Sequence, residues 1–409
     1  WPGVFSITMA GGGVKRGFGG GDGGRGGQAG ALSNHAGNGG SGYGAAVFVR
    51  EGATISVVNG DFDANTVTAG SGRLSGAAAG SDLYLMDGTL TYAVDAGQVA
   101  TLNGDIAGST GTGLRMNGPG TLALMGNNAY GGGTELNAGV LQLGHSNGLG
   151  SGTLTADGGA LSLANGLTVG NAIALDQDLS VQVVADGSAS LIGTISGAGG
   201  LSIDGPGTLT LTGSNTYLGG TSLNGGTLHL GSNNAIGNGT VRADGGALSL
   251  ADAVTISNQI VLDEDLSVLV GAGGTASLTG AISGTQGLAL DGAGTLVLSS
   301  ENTYTGGTAL NTGTLQLGHS NGLGSGVLTA GGGALSLANG LTVGNAIALD
   351  QDMSVQVAAG DGTSLAGTIS GAGGLSIDGP GTLTLTGNNT YQGGTSLNAG
   401  ALHLGNNNT

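Results

Sequence analysis

Along most of this chain, apolar residues alternate with small polar ones at period two. In "TLTLTG", "TSLNGGTLHLG" and "TVRADGGALSLAD", leucines sit between Thr, Ser, Asn and His. That alternation predicts short strands with one face on a core and one in water. Leu209, Leu211, Leu228, Leu230, Leu248 and Leu250 are the inward set on this reading. Asn-Gly, Asp-Gly and Gly-Gly pairs punctuate the runs as turns. No stretch carries the 3.6-residue apolar period of an amphipathic helix.

The strand pattern recurs. "GPGTLALMG" at 118 returns as "GPGTLTLTG" at 205, "GAGTLVLSS" at 292 and "GPGTLTLTG" at 379, each 87 residues after the last. A second period doubles the first: residues 140–183 and 314–357 agree at 40 of 44 positions, 174 apart. Short strands, glycine turns and a fixed long period predict a solenoid, in which each coil completes its core only by stacking on the next. At roughly 20–25 residues per coil, one repeat makes about four coils. The expected organisation is a Gly-rich segment 1–44, N-terminal coils 45–117, and repeats at 118–204, 205–291, 292–378 and, in part, 379–409. All of it is expected to form one continuous β-helix.

Within each repeat the Tyr at 130, 217, 304 and 391 is expected to pack at a corner, and the Asn two residues earlier (128, 215, 302, 389) to satisfy turn backbone groups. Residues 11–44 differ: 17 of the 34 are glycine, which predicts a poorly ordered loop.

Composition narrows the function classes. Glycine is 95 of 409 residues with only 4 prolines, which excludes collagen. There is no cysteine, so no disulfide framework and no thiolate metal site. The net charge is −18, from 25 acids against one lysine and six arginines; a nucleic-acid footprint is missing, and anionic membranes repel such a surface. No 18-residue apolar run predicts a membrane-spanning helix. With Trp1 at its start and a fourth repeat barely begun at its end, the chain is expected to be a piece of something longer.

The motif GxGTLxLxGxNxYxGGTxLNxGxLxLG, four times over residues 118–409, resembles the passenger-associated β-strand repeat of Gram-negative autotransporters. "GYGAAVFVREGATISV" at 42–57 also resembles N-terminal parts of large passengers. The resemblance implies an all-β, right-handed parallel β-helix, displayed at the cell surface and secreted through a C-terminal outer-membrane β-barrel absent from this sequence. It further implies adhesins, aggregation or biofilm factors, with some members carrying protease or esterase domains.

Candidate chemistry is thin. "GHSNG" at 144–148 and 318–322 fits G-x-S-x-G, with Ser146 or Ser320 as nucleophile, but no helix follows and the second repeat has "GSNNAIG" instead; a turn is the better reading. "GGGDGG" at 19–24 contains G-x-G-x-x-G inside a half-glycine run and carries no weight. Asp176/Asp178, Asp263/Asp265, Asp350/Asp352 and Asp204, Asp291, Asp378 suggest paired carboxylates or calcium, yet their recurrence speaks for solvated faces and turns. His35, His145, His229, His319 and His403 show no zinc-ligand convergence.

No catalytic, cofactor or metal residue is therefore assigned. The expected function is a surface-displayed β-helical stalk and adhesin, without enzymatic activity, acting through host or matrix surfaces such as glycans or through sister molecules. The 11–44 loop and the outward polar rows are where binding is expected. The alternatives are a spacer, or a pectate lyase-like enzyme, which would need basic residues or calcium where 118–409 offers only Arg242. An ice-binding solenoid would need a Thr-x-Thr array on every coil.

Overall fold

The computed structural model describes residues 82–405 except 361, together with the short strands Ser6–Ala10, Lys15–Arg16, Gly42–Tyr43, Val47–Val49, Thr54–Val58 and Ala78–Ala79. Among the described residues there is no helix. The strands are three to six residues long for the most part and pair in parallel, forming a β-solenoid. The chain divides into two units, Trp1–Leu201 and Ser202–Thr409.

In the first unit, one face stacks Gly88–Ala93, Thr112–Met116, Thr134–Leu136, Leu154–Ala156, Ile173–Leu175 and Ile195–Gly197. The next face stacks Val99–Leu102, Thr121–Leu124, Val140–Leu143, Ala160–Leu163 and Leu179–Val183. Two antiparallel strands belong to this unit: Ser6–Ala10 lies against Thr54–Val58, and Lys15–Arg16 against Val47–Val49.

The second unit has three faces. The first carries Thr208–Leu211, Thr227–Leu230 and Ala247–Leu250, continuing to Ile369–Gly371. The second runs from Thr255–Ile256 through Thr275–Leu278, Thr295–Leu298 and Thr314–Leu317 to Thr395–Leu397. The third holds Thr221–Leu223, Val241–Ala243, Ile260–Leu262 and Ile282–Gly284, and resumes with Thr342–Val343, Thr363–Leu365, Thr382–Leu385 and Ala401–Leu404.

The period-two reading holds in both units. Leu122, Leu141, Leu161 and Val181 stand in register on successive coils, as do Leu124, Leu143, Leu163 and Val183, all buried. Leu209, Leu211, Leu228, Leu230, Leu248 and Leu250 are buried as expected. Each such side chain contributes about 1.5–3 kcal/mol of apolar transfer, and only stacking on both neighbours removes it from water.

Glycine is required where a corner folds back on the coil before it. Gly226, Gly313 and Gly400 have φ of +62°, +73° and +71°, and a Cβ there would stand 2.3 Å from the carbonyl oxygens of Gly205, Gly292 and Gly379 respectively. Three described non-glycine residues also hold positive φ: Asp87, Asp186 and Ala253. Ala253 holds φ +60° where its counterparts 87 residues away, Gly166 and Gly340, hold +79° and +76°.

The repeat makes the expected four or so coils, with one further face. From Thr208 to the return of the motif at Thr295, the chain passes eleven strands and two loops, at 212–220 and 231–240, each loop standing where a strand of one face would. A loop has no apolar alternation, so the hydrophobic pattern does not mark it as a face of the coil.

Candidate functional site

The residues that looked most like chemistry hold one coil to the next. Asn302 accepts from the Ile282 amide at 2.8 Å with its Oδ1 and donates Nδ2 to the Gly322 carbonyl at 2.7 Å. One buried side chain thus joins three coils. Asn128 does the same between Ile106 and Gly148, and Asn389 accepts from the Ile369 amide. The turn role expected of these asparagines is what the geometry shows, extended from the turn itself to the coils on either side.

Tyr130, Tyr217 and Tyr304 are fully buried, with their rings packed against Gly150, Gly237 and Gly324. Each hydroxyl shares a hydrogen with the threonine four residues on, Thr134, Thr221 and Thr308, at 2.6–2.7 Å. Burial pushes their phenol groups up, Tyr304 to about 12, and the threonine hydrogen bond offsets part of that.

Ser146 and Ser320 are capping groups. Their Oγ atoms accept from the amides of Thr168 and Thr342, both at 3.0 Å, and Asn233 Oδ1 accepts from the Thr255 amide at the equivalent place. The adjacent His145 and His319 accept from the amides of Asn147 and Asn321 through Nδ1, closing their own turns. No helix follows either serine, so the G-x-S-x-G spacing here is a coil corner.

The carboxylates divide by role. Asp178, Asp265 and Asp352 accept from the amides of Gly200, Gly287 and Gly374 at 2.6–2.7 Å. Both acids of each D-x-D lie in a corner, not within a strand, and the second turns toward the next coil. Asp204, Asp291 and Asp378 each receive a side-chain amide from the coil above, from Asn224, Asn311 and Asn398 at 2.6–2.7 Å. Hydrogen bonds from Ser354 and Asn398 hold the Asp378 carboxyl below its usual range. Among the described residues no three of His, Asp and Glu converge as a metal set.

A further stitch was not singled out from the sequence. Asn171, Asn258 and Asn345 each donate Nδ2 to two glycine carbonyls of the preceding coil, for instance Gly237 and Gly239 at 2.7 Å for Asn258. Their 87-residue spacing was the signal that could have found them.

What remains outward is a set of rows. On the second face, Thr275, Thr295, Thr314, Ala334 and Ser354 stand in register, with Ser277, Val297, Gln316, Ser336 and Gln356 beside them. His229 points outward against Ser249 Oγ at 2.9 Å, and His403 is exposed beside Thr384. Arg242 pairs with Asp263 of the next coil and does not face a cluster of acids. A shallow depression on the first face is lined by Asp265, Ala289, Gly307 and Thr329. The segment 11–44, with Arg25, His35 and the run at 19–24, lies outside the described residues apart from the backbone of Lys15–Arg16 and Gly42–Tyr43.

Comparison with known proteins bears on these rows. A family model described as the passenger-associated-transport-repeat matches residues 114–143, 204–230, 288–317 and 378–404. The Adhesin BmaC autotransporter of Brucella suis biovar 1 (strain 1330) is 32% identical over 186 residues, which is 41% of this chain and 5% of the relative. The chain thus aligns with a small part of that relative's length. No solved structure matches. The repeat found four times on a parallel solenoid and the similarity to an autotransporter adhesin together support reading the chain as an autotransporter passenger domain.

Proposed function

We propose that this chain is an adhesive stalk segment displayed at the surface of a Gram-negative cell, holding that cell to a host or matrix surface or to sister cells. The observation that carries the reading is the division of labour among its polar groups. Ser146, Ser320, Asp178, Asp265 and Asp352, the groups that could serve chemistry, are hydrogen-bonded to the next coil. The outward rows of the second face are mostly hydroxyls and amides in register, interrupted by Val297 and Ala334, and suit many weak hydrogen bonds. The adhesin relative supports the same reading. Biofilm formation follows where the partner is a sister cell.

The lyase-like alternative lacks support: past Arg115 the sequence has one basic residue, Arg242, and it is paired with Asp263. A spacer role makes a different prediction in the same assay. The chain is displayed on a non-adherent bacterium through a borrowed outer-membrane barrel, beside a version lacking one 174-residue pair. Adhesion or clumping that falls with the deletion supports binding by the repeats. No adhesion from either chain assigns this segment to spacing and refutes the proposal.

A further inference from the structure

Thirteen face positions per repeat, eleven strands and two loops, do not divide evenly among three faces. The remainder is one. In the second unit, the strand that opens each repeat accordingly steps around the solenoid: Thr208–Leu211 is on the first face, Thr295–Leu298 on the second and Thr382–Leu385 on the third.

The loops step with it. Loops 212–220 and 231–240 occupy the second face, where Thr255–Ile256 then begins a sheet, its first amide capped by Asn233. Loop 299–307 lies on the third face over Ile282–Gly284, through Thr303 N to Ile282 O at 2.8 Å and Thr305 N to Gly284 O at 3.1 Å. Loop 386–394 lies on the first face over Ile369–Gly371, through Thr390 N to Ile369 O at 2.8 Å and Gln392 N to Gly371 O at 3.0 Å. Three copies use three faces.

At the tip, the residue after the repeat's tyrosine differs in every copy: Gly131, Leu218, Thr305, Gln392. The last three are exposed, Leu218 by 63%. None of these loops carries lysine or arginine.

We infer that the loop pair of each repeat is a docking surface for a globular protein partner, and that the one-face step lets neighbouring repeats be occupied at once. The inference rests on the adhesive reading above. At about 4.8 Å per coil, thirteen positions at three per coil raise the next loop pair by roughly 21 Å. A 100-residue partner has a radius of gyration of about 13 Å and so is roughly 33 Å across. Two such partners on one face at that rise collide; on successive faces they do not. A straight partner lying along one face meets a given loop type once in these three copies. The loops' amides and hydroxyls, with Glu301 in one copy and no lysine or arginine in any, on a chain of net charge −18, suit a basic polar protein surface.

The absence of cysteine makes the geometry directly readable. Leu218→Cys, Thr305→Cys and Gln392→Cys in one full-length chain, biotinylated through a short linker, are expected to take up three copies of monovalent streptavidin by mass photometry. Ala247→Cys with Thr329→Cys, four coils apart on the first face, is expected to take up one. One or two copies on the triple variant, or two on the pair, overturns the display geometry.

Docking is read separately on the displayed chain. Leu218→Gly, Thr305→Gly and Gln392→Gly each install the residue that the first copy already carries. Each is expected to remove a comparable share of adhesion, and adhesion unchanged by all three overturns docking at the loops. A parent chain that binds no surface overturns the adhesive reading and docking with it, while the probe count still decides the geometry.

Discussion

Replacing Asn302 by alanine tests the idea that buried side-chain amides hold the coils together. Two bonds are lost: the Ile282 amide loses its acceptor at 2.8 Å and the Gly322 carbonyl its donor at 2.7 Å. Asn302 is 4% exposed, so water does not replace it freely. An orphaned buried polar group costs about 1–3 kcal/mol, which puts the pair at roughly 2–6 kcal/mol. Global unfolding is a poor assay, because a solenoid's cooperativity is limited to near neighbours. Native-state hydrogen exchange resolves individual coils. Peptides covering 282–284, 302–304 and 321–323 are expected to exchange on the order of 30-fold faster or more, at 1.4 kcal/mol per tenfold. Peptides covering 363–377, several coils away, are expected to keep the wild-type rate. A change under tenfold around 282 and 322 would refute the stitching argument, and an equal change at 363–377 would refute its locality.

Three further outcomes follow from the same geometry. Burial raises Tyr304 to about 12, so between pH ~10 and ~12 the unfolded chain holds fewer protons and stability falls as pH rises, by up to about 1.4 kcal/mol per pH unit; Tyr304→Phe is expected to leave the tyrosinate absorbance of the native chain at pH ~11 nearly unchanged and to remove one tyrosinate from that of the denatured chain, and an equal loss in both counts against it. Ala253→Gly relieves a left-handed alanine worth about 1–2 kcal/mol while adding about 0.5–1 kcal/mol of glycine entropy, so local stability rises by roughly 0.5 kcal/mol, seen as slower exchange around 251–256. Past Arg115, trypsin has Arg242 as its one site, in a strand and paired with Asp263; the folded repeats resist digestion and the denatured chain is cut there once, so rapid cleavage of the native chain at 242 would contradict the pairing.

The strands were legible because a leucine in every second position has one way to hide from water. Leu209 and Leu211 announce their face, and the register with Leu228 and Leu230 follows from stacking. The asparagines were legible as turn residues, since Asn302 and its copies sit beside glycine pairs, but their reach into two other coils depends on which corner lies above which. Tyr304 was legible as a packing residue from its 87-residue recurrence, but its hydroxyl partner was not: Thr308 Oγ1 at 2.6 Å satisfies that hydroxyl inside the core. The count of thirteen was hidden for a related reason. Loop 299–307 holds a face through backbone hydrogen bonds to Ile282 and Gly284, which leave no mark on side-chain polarity.

The corner at Asp204, Asp291 and Asp378 bears on how such a chain changes over generations. Each of these acids ends one repeat, and the following G-x-G-T-L opens the next almost unchanged. Misaligned copying of the gene between two such corners therefore adds or removes whole repeats without cutting a strand, and the asparagine that bonds to the acid arrives with the new copy. Lineages can differ in repeat number at little folding cost. Each gain or loss turns everything downstream by a third of a revolution, so a change in length is also a change in the direction a bound partner faces.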